Sequence, residues 1–207
     1  KVIIELKPDK ADQEPVPTVT SLTGRVWMDR NLGASQVAAS LTDEDAYGGL
    51  YQWGRLTDGH EKRTSLTTTI LSSTDVPGHD NFILAPNYDW RISHNDNLWQ
   101  GVNGINNPCP NGFRLPTTSE FEAERASWSS DTPEGAFSSP LKLPFAGWRV
   151  WYKDVIARSG TEGAYWTSTG SSIYGMTFHF YDGYMAIHSA YRAGGISVRC
   201  IQALPEE

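Results

Sequence analysis

Residues 171–192, SSIYGMTFHFYDGYMAIHSAYR, bring tyrosines, histidines, serines and an aspartate together at short intervals. Met176, Phe178 and Phe180 alternate with Thr177, His179 and Tyr181. That period of two predicts a strand with one buried and one open face. On this reading Thr177, His179 and Tyr181 point outward. Tyr174 precedes them on the same stretch, and Asp182, Tyr184, His188, Ser189 and Tyr191 follow from the next segment. Tyrosine supplies large, rigid, amphipathic contact area at low entropic cost, while serine, histidine and aspartate supply adaptable hydrogen bonds. The chemistry implied is non-covalent recognition of a protein or a glycan. A polar, solvated face without a ligand fits the same residues.

Catalytic and metal patterns are weaker. The chain contains no H-E-x-x-H, no G-x-S-x-G and no phosphate loop with its lysine. No spacing of carboxylates singles out a glycosidase pair, so a carbohydrate-active hydrolase stays open only as an unrecognised one. Asp80, Asp89, Asn95, Asp96 and Asn97 are hard oxygen donors in one polar region and suit Ca²⁺. Residues of these types also commonly cap turns and face water. The five histidines (His60, His79, His94, His179 and His188) are scattered along the chain, which gives zinc no ligand set.

The elements that must position these side chains are mostly short. KVIIELKP at residues 1–8 reads as a short apolar strand, and the polar, proline-containing segment behind it as an arm or linker, so that residues 1–20 precede a single domain over 21–207. GRVWMDRNL reads as a strand. TDEDAYGGLYQWGR reads as a short helix, a turn at Gly48-Gly49 and an aromatic strand. PTTSEFEAERASW is the best helix, with Thr117 and Glu120 in the T-x-x-E spacing of a capping box. LKLPFAGWRVW, AYWTSTG, GMTFHFY, YMAIHS and GISVRCIQA read as strands separated by turns. Residues 57–107 lack either periodicity and are too long for an ordinary loop, so scattered aromatic and aliphatic side chains must order them by packing.

Composition sets the outer bounds. Hydrophobic content of 39% and charged content of 20% are those of a globular chain. A net charge of −7 argues against nucleic acid and against an anionic membrane surface as partner. No apolar run approaches the roughly 20 residues of a membrane span. Eight tryptophans exceed what most domains of this size carry, and packing is the first use for each of them. Oligomeric state is not readable.

GRVWMDRNLGAS, YGGLYQWGR, DGHEKRTS, NPCPNGFRLPTTSEF, GAYWTSTG and GISVRC follow one another in this order. Together they resemble the Fibrobacter succinogenes major paralogous domain over about Gly24 to Ile201. That family is similar to the C-type lectin-like fold, in the branch shared with formylglycine-generating enzymes. The resemblance implies an α+β domain with a twisted antiparallel sheet, two helices and long irregular loops, in a secreted or surface-anchored bacterial protein. It implies that the landmarks holding Cys109 and Cys200 meet, and an exported chain with an even cysteine count then favours a disulfide over two buried thiols. With both cysteines so engaged, none is left for the chemistry of the enzyme relatives. The lectin-type calcium motifs E-P-N, Q-P-D and W-N-D are absent. Retroelement-diversified proteins of this fold vary in the segment before the last strand, where Tyr, Asp, His, Ser and Ile are frequent outcomes. The resemblance therefore points to 171–192 as a variable ligand face. A structural domain of a larger surface assembly, with KVIIEL completing a neighbour's sheet, is the competing implication. Trp27, Trp53, Trp148, Trp166 and Phe113 are expected in the core. Arg114 and Arg199 are expected to pair with carboxylates or carbonyls inside the fold.

Overall fold

A computed structural model describes residues 15–204 of the chain; the KVIIEL strand and most of the arm lie outside the described residues. In chain order the strands are β1 (Thr18–Thr20), β2 (Val26–Met28), β3 (Tyr51–Gln52), β4 (Thr67–Thr68), β5 (Phe82–Ile83), β6 (Phe113–Arg114), β7 (Trp148–Arg149), β8 (Ile156–Ala157), β9 (Gly163–Ser171), β10 (Tyr174–Tyr181), β11 (Tyr184–Tyr191), β12 (Gly195–Ile196) and β13 (Ile201–Gln202). Helices α1 (Thr118–Ser127) and α2 (Pro133–Ser138) lie between β6 and β7. The strands form sheets ordered β1-β2-β13-β6, β3-β12-β7-β8 and β11-β10-β9, and a small parallel pair β4-β5. The architecture is α+β, with two helices and several antiparallel sheets, as the sequence led us to expect. The helix read at TDEDAYGG shrinks to one 3₁₀ turn, Glu44–Ala46. LKLPFAGWRVW gives a strand only at its Trp148–Arg149 end.

Helix α1 starts where its sequence says. The Glu120 amide donates to Thr117 Oγ1 (3.2 Å) and the Thr117 amide donates to Glu120 Oε2 (2.8 Å), closing the capping box. Arg114 grips both Glu120 oxygens (2.8 and 2.9 Å), and Arg25 adds a third contact at 2.8 Å. Burial opposes the Glu120 charge. The Arg114 fork, the Thr117 amide and the Arg25 charge outweigh it and hold the carboxyl down to about 2. A carboxylate whose folded pKa is depressed stabilises the fold above its ordinary value, 4.5, and that contribution is lost as pH falls toward about 2. Thermal melts should therefore show Tm falling over this window. Glu120→Gln should lower Tm at neutral pH and flatten the acid limb; an unchanged acid limb would remove Glu120 from its cause.

The β9–β11 sheet is covered on both faces. On one face α1 packs Phe121 against Phe178, ring centroids 5.2 Å apart, with Trp27 and Trp128 beside them. On the other lie Ala164, Trp166 and Ala190 with Tyr51, Trp53, Ile196 and Val198. This second layer corrects the period-two expectation. Thr177 is not outward but fully buried, paired across the sheet with Trp166 and His188, its hydroxyl donating to the His188 carbonyl at 3.2 Å. Alternation marks an open face only when nothing packs on it. Trp27, Trp53, Trp166 and Phe113 are core, but Trp148 is only half-buried.

Cys109 and Cys200 form a disulfide with Cα atoms 5.9 Å apart, joining the turn before β6 to the start of β13. Arg199 is buried and donates to Asn31 Oδ1 (2.8 Å) and the Leu141 carbonyl (2.6 Å); Arg114 takes the carboxylate described above. The irregular 57–107 region is ordered by Phe82, Ile83, Ala85, Trp90, Leu98 and Trp99, all buried. Trp90 Nε1 donates to the Trp53 carbonyl (2.8 Å), and Arg192, at the foot of β11, donates to the Asn95 carbonyl (3.0 Å) and pairs with Asp96. The region is thereby fastened to the hairpin. Among the described residues no helix is long and apolar enough to cross a membrane.

Candidate functional site

Strands β10 and β11 pair along their whole length, from Tyr174 opposite Tyr191 to Tyr181 opposite Tyr184. The turn between them is Asp182-Gly183, with Gly183 at φ +74°, a left-handed conformation that glycine adopts without strain. Beside this hairpin runs a groove of about 250 Å³, lined chiefly by Trp148, Trp151, Ala164, His188, Ser189 and Tyr191. One wall is the hairpin. The other is the segment 148–151, whose WRVW sequence holds β7 at one end and turns two indoles into the groove.

Aromatic rings surround the mouth. Tyr191 stacks on Tyr88 (4.1 Å) and Tyr174 (5.3 Å) and meets Trp151 (4.8 Å), which in turn meets Tyr152 (5.0 Å). Tyr88, Tyr152 and Tyr174 are 39%, 50% and 37% exposed, so the belt is open to solvent. Tyr88 sits at φ +79°, a conformation that a bulky residue adopts at a strain of roughly 1–3 kcal/mol. The Ala193 amide donates to its carbonyl (3.0 Å) and its own amide donates to the Ala85 carbonyl (2.9 Å), which holds the ring over Tyr191. A second pair, Tyr181 and Tyr184, stacks at 4.9 Å at the hairpin tip. The two groups are separated by the length of an eight-residue strand, about 24 Å. The tyrosines expected together on one face are thus split into two pieces, Tyr181 and Tyr184 at one end of the hairpin and Tyr174 and Tyr191 at the other, with Asp182 exposed at the tip and Ser189 exposed along the groove.

Between the pieces lies a polar chain. His179 Nε2 is 2.9 Å from Glu162 Oε2, His179 Nδ1 is 2.9 Å from His188 Nε2, and His188 Nδ1 is 2.8 Å from the Ser189 carbonyl. His179 also sits edge-on to Trp148 at 5.5 Å. Burial pushes the His179 imidazole below its ordinary pKa, the neighbouring His188 pushes the same way, and Glu162 opposes both. The histidines read as scattered include one pair in direct contact.

The oxygen donors considered for Ca²⁺ do not converge. Asp89 is buried and accepts from the Arg91 amide (3.0 Å) and His94 (2.8 Å); Asp96 pairs with Arg192; Asn95 Oδ1 caps the Asn97 amide (3.0 Å) and its amide group donates to Asp75; Asp80 packs by Gly59. These residues build turns and fasten arginines. Among the described residues one group has metal-ligand proximity, Asp58, His60 and Glu61. Its imidazole is spent: the Gln52 amide donates to Nε2 (3.1 Å) and Nδ1 contacts Asp58 (2.7 Å). Burial pushes His60 down to about 4, against the pull of Asp58, so it is a neutral strut between β3 and the DGHE turn.

Sequence reasoning missed Tyr88, Trp151, Tyr152 and Glu162. The run WRVWY carried a signal, three aromatics in five residues, which assignment of Trp148 to the core concealed. Glu162 and Tyr88 carried none, because their partners are distant in sequence. Scans of the chain against protein-family models, curated proteins and solved structures find no match.

Proposed function

We propose that this chain is a non-enzymatic ligand-binding or adhesion module of the C-type lectin-like fold, akin to the Fibrobacter succinogenes major paralogous domain. We place it at a bacterial surface or on a secreted or phage-borne particle. The observation that carries the reading is the solvent-open aromatic belt, Tyr88, Trp151, Tyr152, Tyr174 and Tyr191, around an apolar groove. Contiguous exposed aromatics on one face suit a binding surface better than a solvated one. Tyr174, Tyr184, Ser189 and Tyr191 are surface positions on a rigid hairpin, which suits diversification by a retroelement without loss of fold. A protein side chain fits the groove better than a sugar ring. Most of its polar groups are already engaged: Thr177 with a carbonyl, the histidines with each other, and Arg149 with Ser65 and Asp154, although Arg149 Nε has no partner. Most hydroxyls placed there would lose water without gaining partners.

Binding screens against a glycan array and a panel of bacterial and host surface proteins test this. Tyr191→Ala removes the ring at the centre of the belt and should weaken any specific ligand by about 30-fold, a hot-spot loss of roughly 2 kcal/mol, while Tyr88→Ala should weaken it less. Equal binding by wild type and both variants, with Tm retained, would sink the assignment.

A further inference from the structure

The Glu162–His179–His188–Ser189 chain has a definite proton count. The Ser189 carbonyl only accepts, so His188 Nδ1 must carry a hydrogen. An ionised Glu162 only accepts, so His179 Nε2 must carry one too. With those two protons placed, both imidazoles are neutral, and His179 Nδ1 and His188 Nε2 face each other at 2.9 Å as two bare lone pairs. That contact is repulsive. One further proton between them turns it into the third hydrogen bond. A fourth proton would set two N–H groups against each other. The geometry is complete with one proton beyond two neutral rings and a carboxylate, and with no other number.

We propose that this relay is a proton-operated support of the groove wall: the single shared proton must be bound for His179 and His188 to hold the wall in its present shape. The inference rests on the reading of that groove as the binding site only for its consequence, since the proton count itself involves no ligand. His179 and His188 both line the groove, and His179 stands edge-on to Trp148 on the opposite wall. Tyr181 and Tyr184 cover the other side of His179 at 5.4 and 5.9 Å. The charged groups nearby are Arg158, 3.3 Å from Glu162 Oε1 and mostly exposed, and Arg149 in the groove lining, whose charge Asp154 answers at 2.6 Å. Neither supplies a proton to the relay. With Glu162 ionised the extra charge rests on the imidazole pair, next to its counter-charge. As pH rises the proton leaves, the lone pairs repel and the wall opens. At acid pH a second proton enters and the pair again separates. Ligand affinity should follow this window, highest where one proton is bound.

Two-dimensional NMR of the ring nitrogens across pH 5 to 9, without ligand, tests the relay directly. The expected result is a coupled pair: one proton bridges the rings at the acid end of the range, His188 Nδ1 and His179 Nε2 keep their protons when it is lost, and the Trp148 indole resonance moves with that loss. Glu162→Gln, whose amide can donate to His179 Nε2, removes the need for the extra proton and should lower the pH at which it leaves by about one unit or more. Two histidines titrating independently, or a Trp148 signal unmoved through the transition, would overturn the proposal. So would a spectrum that changes on adding a chelator, which would make the bound cation a metal ion. Loss of binding in Tyr191→Ala leaves this titration untouched, so the two readings fail separately.

Discussion

Replacing both Cys109 and Cys200 with alanine should lower the stability of the domain by about 4 kcal/mol. The bond closes a loop of 91 residues, and the chain entropy released on opening such a loop is worth roughly 4–5 kcal/mol. Little native strain should offset this, since the Cα atoms stand 5.9 Å apart, within the usual spacing. The position adds to the effect. Cys200 is fully buried in the cluster with Phe113, Leu115 and Val198, and its carbonyl accepts from the Met28 amide at 3.0 Å. The bond therefore fastens β13 and β2 to the turn that leads into α1. Urea denaturation of the wild type, the double alanine variant and the wild type under reductant would measure it. The last two should coincide. A loss below about 1 kcal/mol in the double variant would mean that the landmarks meet without help from the bond.

The features legible in the sequence are those with a short-range cause. The capping box at Thr117 and Glu120 needs only three residues and a hydroxyl, and α1 begins there. Strands β10 and β11 were readable from alternation, because Phe178 and Phe180 face α1 whatever lies behind them. Thr177 shows where such reading stops. Its burial depends on Trp166 and Ile196, which arrive from other strands and close the face that alternation alone would leave open. The binding surface divides the same way. Tyr174, Tyr184 and Tyr191 were visible as a tyrosine-rich stretch, yet Tyr191 is the centre of a belt only because Tyr88 and Trp151 are brought to it. The relay was hidden for the same reason: His179 and His188 lie nine positions apart, a distance that means nothing until a two-residue turn folds one strand onto the other.

Trp53→Ala should destabilise the domain by about 4 kcal/mol and loosen the aromatic belt, which it does not touch. Trp53 is fully buried, its indole donates to the Thr167 carbonyl at 3.0 Å, and its ring meets Trp99 at 5.5 Å. Gly170 and Gly175, paired across β9 and β10, leave the space it occupies: a Cβ on either would come within 2.5 and 2.4 Å of the indole. Removing so large a ring from a close-packed site costs about 3–5 kcal/mol through lost burial and an unfilled cavity. Arg192 gives the change its reach. Its guanidinium lies 4.2 Å over the Trp53 ring, and the same group bonds the Asn95 carbonyl and Asp96. Without the indole, a buried cation loses one face of its support, and the chain on either side of it is Tyr191 and the Ala193 amide that holds Tyr88. The expected result is a lower urea midpoint together with a more mobile Tyr191 ring by NMR. Trp53→Phe, which keeps a ring beneath Arg192, should recover much of the ring order while still losing stability. A Trp53→Ala variant that loses stability but leaves Tyr191 as ordered as in the wild type would show that the Tyr174 and Asn95 carbonyls and Asp96 hold Arg192 without the indole, and would sever the link from core to binding face.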